Sequence, residues 1–215
     1  MTHPGSSYRI LVTAGPTIEP IDPVRFISNR STGLMGYEVA RAAVEEGFSV
    51  CLVTGPACLD APEGVELVRV STTEDMRKAV MERLGETDCL VMAAAVCDFR
   101  PLKTGKEKIK KTDSITLELV KNPDILKEAG TRKGLMKVGF ALETEDLAAN
   151  AEKKLADKEL DMIVANAKIG EGDPFGGGIK DFILMDKGRR ITELKGVTKT
   201  QCAEAIIREV KRLLG

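Results

Sequence analysis

Thr13-Ala14-Gly15-Pro16-Thr17-Ile18-Glu19-Pro20-Ile21-Asp22-Pro23-Val24-Arg25-Phe26-Ile27-Ser28-Asn29-Arg30-Ser31-Thr32-Gly33-Leu34-Met35-Gly36 is the stretch that decides how this chain is read. It leaves an apolar run, Arg9 to Ala14, that reads as a buried strand. It opens into Gly36 to Gly47, where Val39, Ala40, Ala43 and Val44 share one helical face and Arg41 and Glu45 lie outside it. Strand, loop, helix in that order is the phosphate-binding corner of a parallel α/β sheet. At such a corner the first N–H groups of the helix are unpaired and the helix dipole favours negative charge, while Gly33 and Gly36 let an anion approach the backbone. The loop also carries Glu19, Asp22, Arg25, Asn29 and Ser31, more polar equipment than a pyrophosphate needs. Chemistry against the bound phosphate is therefore expected.

Outward from this corner the pattern repeats. Ser49 to Thr54 is the next strand, and a Pro/Gly-rich connection leads to a strand at Val65 to Val70. A helix from Thr73 to Leu84, capped by Thr72 or Thr73, precedes a strand at Asp88 to Ala95. Short buried strands alternating with helices predict an α/β fold: a Rossmann-like, doubly wound, mainly parallel sheet with helices on both faces and ligands beyond the carboxyl ends of its strands. The repeat then breaks. Residues 97–120 read as a lysine-dense flap followed by a strand at Ser114 to Val120, whose Ile115, Leu117 and Leu119 alternate as if one face were buried. Asn122 is the expected cap of a helix with Pro123 at its first position. Strands at Lys137 to Leu142 and Asp161 to Asn166 flank a charged helix from Glu145 to Lys158. Residues 172–178 form a mobile Gly-rich loop. Phe182 to Met185 and Arg190 to Leu194 make a β-hairpin, and Lys199 to Leu214 a closing helix. The whole, 1–215, reads as a single domain with residues 1–8 frayed.

Composition removes several kinds of chemistry. Thirty-two Lys and Arg against 33 Asp and Glu leave a net charge of −1, so no global field attracts nucleic acid or an anionic membrane. The sequence offers no membrane-length apolar run and no secretory pattern at its start, and a cytoplasmic protein is expected. Cys51, Cys58, Cys89, Cys97 and Cys202 are scattered without a Cys-x-x-Cys pair, and the only histidine is His3. Structural zinc, Ser-His or Cys-His nucleophile pairs and a histidine base are thereby disfavoured. What is left is lysine, arginine, carboxylates, amides and a bound metal.

Three constellations could carry such chemistry. Ser31-x-Gly33-x-x-Gly36 is a weak signal alone, since glycine there also serves helix packing. An NAD(P)-binding oxidoreductase is the rival reading, but it would place an acid at the end of the second strand, where this chain has Thr54-Gly55-Pro56, and neither Tyr8 nor Tyr37 begins a Tyr-x-x-x-Lys pair. Ala93-Ala94-Ala95-Val96-Cys97-Asp98-Phe99 ends the fourth strand; its small residues admit a flat ring, and Asp98 sits where a ribose or magnesium ion would be met, or serves as a turn carboxylate. Lys103, Lys106, Lys108, Lys110 and Lys111 leave the sheet at its ligand edge. Such a run is usually a solvated face, yet in this position a flexible lysine could close over a triphosphate.

Taken in order, the Gly15-Pro16-Thr17 to Asn29 loop, Ala94-Ala95-Val96-x-Asp98-Phe99, Glu107-Lys108-Ile109-Lys110-Lys111, Lys121-Asn122-Pro123-Asp124-Ile125 and Gly139-Phe140-Ala141-x-Glu143-Thr144 closely resemble the bacterial phosphopantothenate-cysteine ligases of coenzyme A biosynthesis. The resemblance covers nearly the whole chain. It implies that CTP activates the carboxylate of 4'-phosphopantothenate as an acyl-cytidylate, releasing pyrophosphate, and that cysteine then displaces CMP. Carried over by motif, Asn29 would hold the acyl-cytidylate with Arg25 and Ala95 positioning it, and Lys108 would act from a mobile flap. Nucleotide contacts would come from Gly15, Ser31, Gly33 and Gly36 on the phosphates, from Met92, Ala93, Ala94 and Asp98, from Pro123, Asp124, Ile125 and Leu126, from Phe140 beside the base, and from Lys154 and Lys158. The choice of CTP over ATP rests on the resemblance, as does magnesium on the triphosphate, whose protein ligands are not assigned.

The resemblance further implies a homodimer, for which Ser114 to Val120 and the Phe182 to Leu194 hairpin are the candidate elements, as a small β appendage. Many members carry Ser-Ser-Gly-Lys-Met-Gly where this chain has Ser31-Thr32-Gly33-Leu34-Met35-Gly36, so a lysine at position 34 plays no part, and Cys97 replaces a smaller residue. Members are often fused to, or associated with, a flavin-dependent decarboxylase. The chain is expected to be a stand-alone ligase or one domain of such a fusion, with no FMN site of its own.

Overall fold

A computed structural model describes residues 8–130, 132–143, 147–167 and 178–215. Strand β1 (Arg9–Ala14) lies at the centre of the sheet. The polar stretch after it is not an open loop: β2 (Ile18–Pro20) and β3 (Phe26–Ser28) pair antiparallel as a small hairpin. Helix α1 (Leu34–Glu45) follows, then β4 (Ser49–Thr54), β5 (Val65–Arg69), α2 (Thr73–Arg83) and β6 (Cys89–Met92). Thr72 caps α2 in a reciprocal pair with Asp75. Next come β7 (Phe99–Pro101), β8 (Leu119–Lys121), α3 (Ile125–Ala129), β9 (Met136–Glu143), α4 (Leu147–Asp157), β10 (Met162–Ala167), β11 (Lys180–Asp186), β12 (Ile191–Val197) and α5 (Lys199–Leu214).

Eight of these strands form one sheet in the order β12-β11-β10-β9-β6-β1-β4-β5, parallel from β5 through β10 and antiparallel beyond. The chain winds outward through β4 and β5, then returns past β1 to β6, so the connection reverses between β1 and β6. That reversal opens a crevice at the carboxyl ends of those two strands. Both sheet faces are covered, which is why the strands read as unbroken apolar runs. Ile10 and Val12 of β1, Val50 and Leu52 of β4, and Cys89 and Val91 of β6 pack beneath α1 and α5, among Tyr37, Ala40, Cys202 and Ile206. Their neighbours Leu11, Cys51, Val53, Leu90 and Met92 face the other way, against Met76 and Val80 of α2 and Ile125 and Leu126 of α3.

Four sequence expectations are corrected. The Phe182 to Leu194 hairpin is no appendage: β11 pairs with β10 and extends the central sheet as its antiparallel edge. Ser114 to Val120 does not form a strand along its length; only β8 pairs, against the three residues of β7, and Ile115, Leu117 and Leu119 are 46%, 40% and 43% exposed. Asn122 does not cap α3, because Asp124 accepts from Lys127 N–H and does so itself. Tyr8, expected to fray, donates its hydroxyl to the Leu214 carbonyl at 3.0 Å. His3, Thr144, the first residues of the charged helix and 172–177 lie outside the described residues.

The cysteines are core material with one exception. Cys51, Cys89, Cys97 and Cys202 are buried and Cys58 is exposed. Burial pushes the Cys202 thiol up to about 12 and that of Cys89 further, so both are inert at neutral pH.

Gly36 serves packing. A Cβ there would lie 2.5 Å from Ala14 Cβ and 2.8 Å from the Thr13 carbonyl oxygen, so only glycine lets α1 seat on β1. Gly36→Ala is expected to destabilise the domain by about 1–3 kcal/mol, the usual cost of overpacking. Urea unfolding checks this: the midpoint should fall at unchanged slope, and a wild-type midpoint would mean that helix and strand are not in this contact.

Candidate active site at the carboxyl edge of the sheet

A cleft of about 540 Å³ opens at the crevice and runs along the carboxyl edge. One wall is the start of α1, with Ser31, Gly33, Leu34 and Met35. The floor is the turn after β6, Met92 to Asp98. Pro123 to Leu126 and the end of β9, Phe140 to Leu142, close one side, and Lys154 of α4 and Lys158 just past its end also line it. Gly33 adopts φ +84° at the helix start, a conformation that favours glycine. Its own N–H donates to Ser31 Oγ at 3.2 Å.

The cleft floor is shaped by a buried polar junction. Thr17 Oγ1 lies 3.0 Å from Thr73 Oγ1 and accepts from Cys97 N–H at 2.9 Å. Asn122 donates its amide to the Cys97 carbonyl at 2.9 Å, to Thr73 Oγ1 at 3.2 Å and to Glu19 at 3.3 Å, and accepts from Arg100 at 2.9 Å. Glu19 is 3% exposed, and the Thr73 N–H in the first turn of α2 donates to its carboxylate at 3.0 Å. A helix N-terminus is where a buried negative charge is best tolerated. The Cys97 thiol donates to the Thr17 carbonyl, a structural contact, and burial pushes that thiol up.

Asn29 hangs from the same turn. Its amide donates to the Ala95 carbonyl at 3.0 Å and the Val96 carbonyl at 3.1 Å, and Ala95 N–H in turn donates to the Gly15 carbonyl at 2.9 Å. Asn29 and Ala95, paired on paper only by resemblance, are thus hydrogen-bonded neighbours. Arg25 lies further out, on the hairpin, where it donates to Asp22 through Nε at 3.1 Å and through Nη2, and to the Ile109 carbonyl at 3.0 Å. The Arg25 guanidinium holds the Asp22 carboxyl well below the usual carboxylate range against the opposing pull of burial, with the Ile109, Val24 and Arg25 N–H groups adding to it.

Ser31, Gly33, Met92, Ala93, Ala94, Ala95, Asp98, Pro123, Asp124, Ile125, Leu126, Phe140, Lys154 and Lys158 all line the cleft, as the sequence reading placed them. Gly15 and Gly36 do not; Gly36 is spent on seating α1 against β1 and Gly15 on its close approach to Thr54 and Gly55 at the end of β4. Asn29, Arg25 and Lys108 stand beyond its rim, with Lys108 exposed on the flap next to Ile109. Asp124 and Lys158 are paired at 3.0 Å. Burial raises the Asp124 carboxyl, but the bonds from Lys158 and the Lys127 N–H outweigh it and leave it lowered.

Asn122, Asn166, Phe182 and Lys199 also line the cleft and were not expected there. Asn166 could have been found, since it is the polar residue near the carboxyl end of the apolar run of β10. Phe182 could not, because only the antiparallel pairing Asn166↔Phe182 brings it to this edge. Lys199 is 7% exposed in the first turn of α5, where the helix dipole disfavours a cation; that mismatch is its sequence signal. Among the described residues no group of three or more His, Cys, Asp or Glu side chains could hold a metal ion, and no helix is long and apolar enough to cross a membrane.

Residues 6–214 match the family described as DNA/pantothenate metabolism flavoprotein C-terminal domain. The chain is 44% identical over 207 residues to the coenzyme A biosynthesis bifunctional protein CoaBC of Bacillus subtilis (strain 168), covering 95% of this chain and 51% of that one. Against the protein of the same name from Vibrio vulnificus (strain YJ016) it is 39% identical over 212 residues, covering 96% and 52%. It thus spans about half the length of the curated relatives it matches. Its fold superimposes on the crystal structure of the C-terminal domain of a coenzyme A biosynthesis bifunctional protein CoaBC with a TM-score of 0.84, at 37% identity over 96% of this chain and 95% of that one. With a match over nearly its full length and relatives at this identity, the chain belongs to the DNA/pantothenate metabolism flavoprotein C-terminal domain family.

Proposed function

We propose that this domain is the phosphopantothenate-cysteine ligase of coenzyme A biosynthesis, using CTP. The observation that carries the reading is the cleft itself. A turn of small residues, Ala93 to Ala95, lines it together with Asp98, Phe140, Lys154 and Lys158, and Asn29 is hydrogen-bonded to that turn. Relatives named for coenzyme A biosynthesis match 95% and more of the chain, which supports the same assignment.

In this reading the nucleotide lies along the cleft, its base beside Phe140 and its ribose near Asp98. Magnesium would be carried by the triphosphate, where its charge would offset that of the phosphate oxygens. A carboxylate is too poor an electrophile to form an amide in water. Its oxygen therefore attacks the α-phosphorus, and the bond from that phosphorus to the pyrophosphate oxygen breaks. The neutral amine of cysteine then attacks the acyl carbon, CMP leaves with its oxygen, and the amine proton passes to solvent. Asn29, fixed on the Ala95 and Val96 carbonyls, presents its side-chain carbonyl and position to the intermediate. Lys108 meets charge developing on the phosphates when the flap closes.

A homodimer belongs to the same reading. Val24 and Phe26 on the hairpin and Phe99, Leu102, Leu117 and Leu119 around β7 and β8 are 40–59% exposed. Apolar exposure of that kind, on one arm, fits burial against a second copy. Association with a flavin-dependent decarboxylase is part of the proposal too, because the matched relatives are bifunctional and about twice as long.

Four measurements test the reading. CTP with magnesium should raise the melting temperature and NADPH should not; the reverse would favour a dehydrogenase. Phosphopantothenate, cysteine and CTP should yield pyrophosphate, and no pyrophosphate would end the ligase assignment. Lys108→Gln should slow pyrophosphate release by about 10²- to 10³-fold, the scale of one lost electrostatic donor, with the fold intact; near wild-type turnover would remove Lys108 from the mechanism. Asn29→Asp should still release pyrophosphate but leak or accumulate the activated acid, whereas unchanged amide formation would show that Asn29 does not manage the intermediate.

A further inference from the structure

The lysine-dense flap is fastened to the first hairpin at one residue above all. Asp22 is 3% exposed and divides its two oxygens between two tasks. Oδ1 closes the hairpin turn, accepting from Val24 N–H and Arg25 N–H at 2.8 Å each. Oδ2 accepts from Arg25 and, across the gap, from Ile109 N–H at 3.0 Å. Arg25 then donates to the Ile109 carbonyl, so both backbone groups of Ile109 are held. Weaker ties run alongside: Gly105 N–H to the Ile21 carbonyl at 2.9 Å and Thr104 Oγ1 to the Pro20 carbonyl at 3.2 Å. Lys108 and Lys110 flank the clamped residue and are exposed.

We propose that Asp22 is a positioning residue for the reaction: through Arg25 and the Ile109 backbone it registers the flap against the hairpin that carries Asn29, and so sets where Lys108 can reach. The inference rests on the ligase reading. A flap free along its whole length would spread Lys108 over many positions, and ordering it at the moment of reaction would cost entropy. Clamping one residue leaves the neighbouring side chains mobile while fixing their origin. Charge-assisted bonds from a guanidinium to a carboxylate are suited to that task, being strong and directional. The same clamp engages Arg25, so flap position and the group expected to orient the acid are set together.

Asp22→Asn separates the two tasks. Its amide oxygen keeps the turn at the Oδ1 position, and its NH₂ replaces the acceptor that holds Arg25 and Ile109. Trypsin cleavage within 103–111 should accelerate about tenfold, because cleavage follows the open population when opening is fast, under conditions where the far-ultraviolet circular dichroism of the variant matches that of the wild type. With CTP, kcat for pyrophosphate release should fall by a similar factor and KM for CTP should change less. Unchanged cleavage would overturn the clamp. Faster cleavage with unchanged kcat would overturn its positioning role. The wild type offers a check that needs no variant: the Ile109 amide should exchange more slowly than those of Lys108 and Lys110, and equal exchange would refute the clamp. Cleavage and exchange need no turnover, so an inactive wild type overturns the ligase reading while the clamp is still judged on its own.

Discussion

The site depends on one buried junction, in which Thr17, Glu19, Thr73, Cys97 and Asn122 satisfy one another where four segments of chain meet. The hairpin, the start of α2, the turn after β6 and the chain returning from the flap are joined here through polar groups. Their backbone groups are cut off from water and must be paired, because an unpaired buried polar group costs on the order of 1–3 kcal/mol. Asn122 is well chosen for this: its NH₂ donates to Cys97, Thr73 and Glu19 while its carbonyl takes the Arg100 guanidinium. A hydroxyl could not serve both ends of that network. The negative charge of Glu19 is placed at the α2 N-terminus, where unpaired N–H groups already wait for an acceptor.

From this junction the geometry of the rim follows. Cys97 is fixed on both its N–H and its carbonyl, so the backbone just before it cannot drift, and the Ala95 and Val96 carbonyls are left pointing at Asn29. Gly15 completes the arrangement from β1: its φ of +73° turns the chain, and its carbonyl receives the Ala95 N–H. The glycines of the first motif thus divide the work. Gly33 remains at the cleft, whereas Gly15 and Gly36 hold strand, helix and turn close enough for the cleft to exist.

Much of this was legible in the residues. Alternating apolar runs and helical faces fixed β1, β4, α1 and α5 to within a residue or two, because burial on both faces of a parallel sheet leaves a strong local signal. The carboxyl-edge rule pointed to the turn from Ala93 to Asp98, and the family resemblance supplied Met92, Pro123 to Leu126, Phe140, Lys154 and Lys158, all of which line the cleft. What escaped is non-local. Asn122 precedes a proline and looks like a helix cap, yet its amide is claimed by residues 25 to 103 positions away. Phe182 reaches the cleft only because β11 runs antiparallel to β10. Ile115 and Leu117 alternate as a strand does, but β7 offers a partner only three residues long, so their periodicity marks a surface rather than a core.

In the proposed ligase reading, the flap gives a chain whose only histidine is His3 another way to time its chemistry. Lysines crowded on one loop repel each other and gain little from any fixed surface contact, so they stay hydrated until an anion arrives. A polyanionic substrate changes that balance, because several ammonium groups can then share one cluster of charge from which water is being excluded. On the proposed reading, positive charge would be delivered by motion of a loop tethered at Ile109, whereas a preformed cationic pocket of the same charge would have to bear the desolvation of those lysines throughout the life of the folded protein.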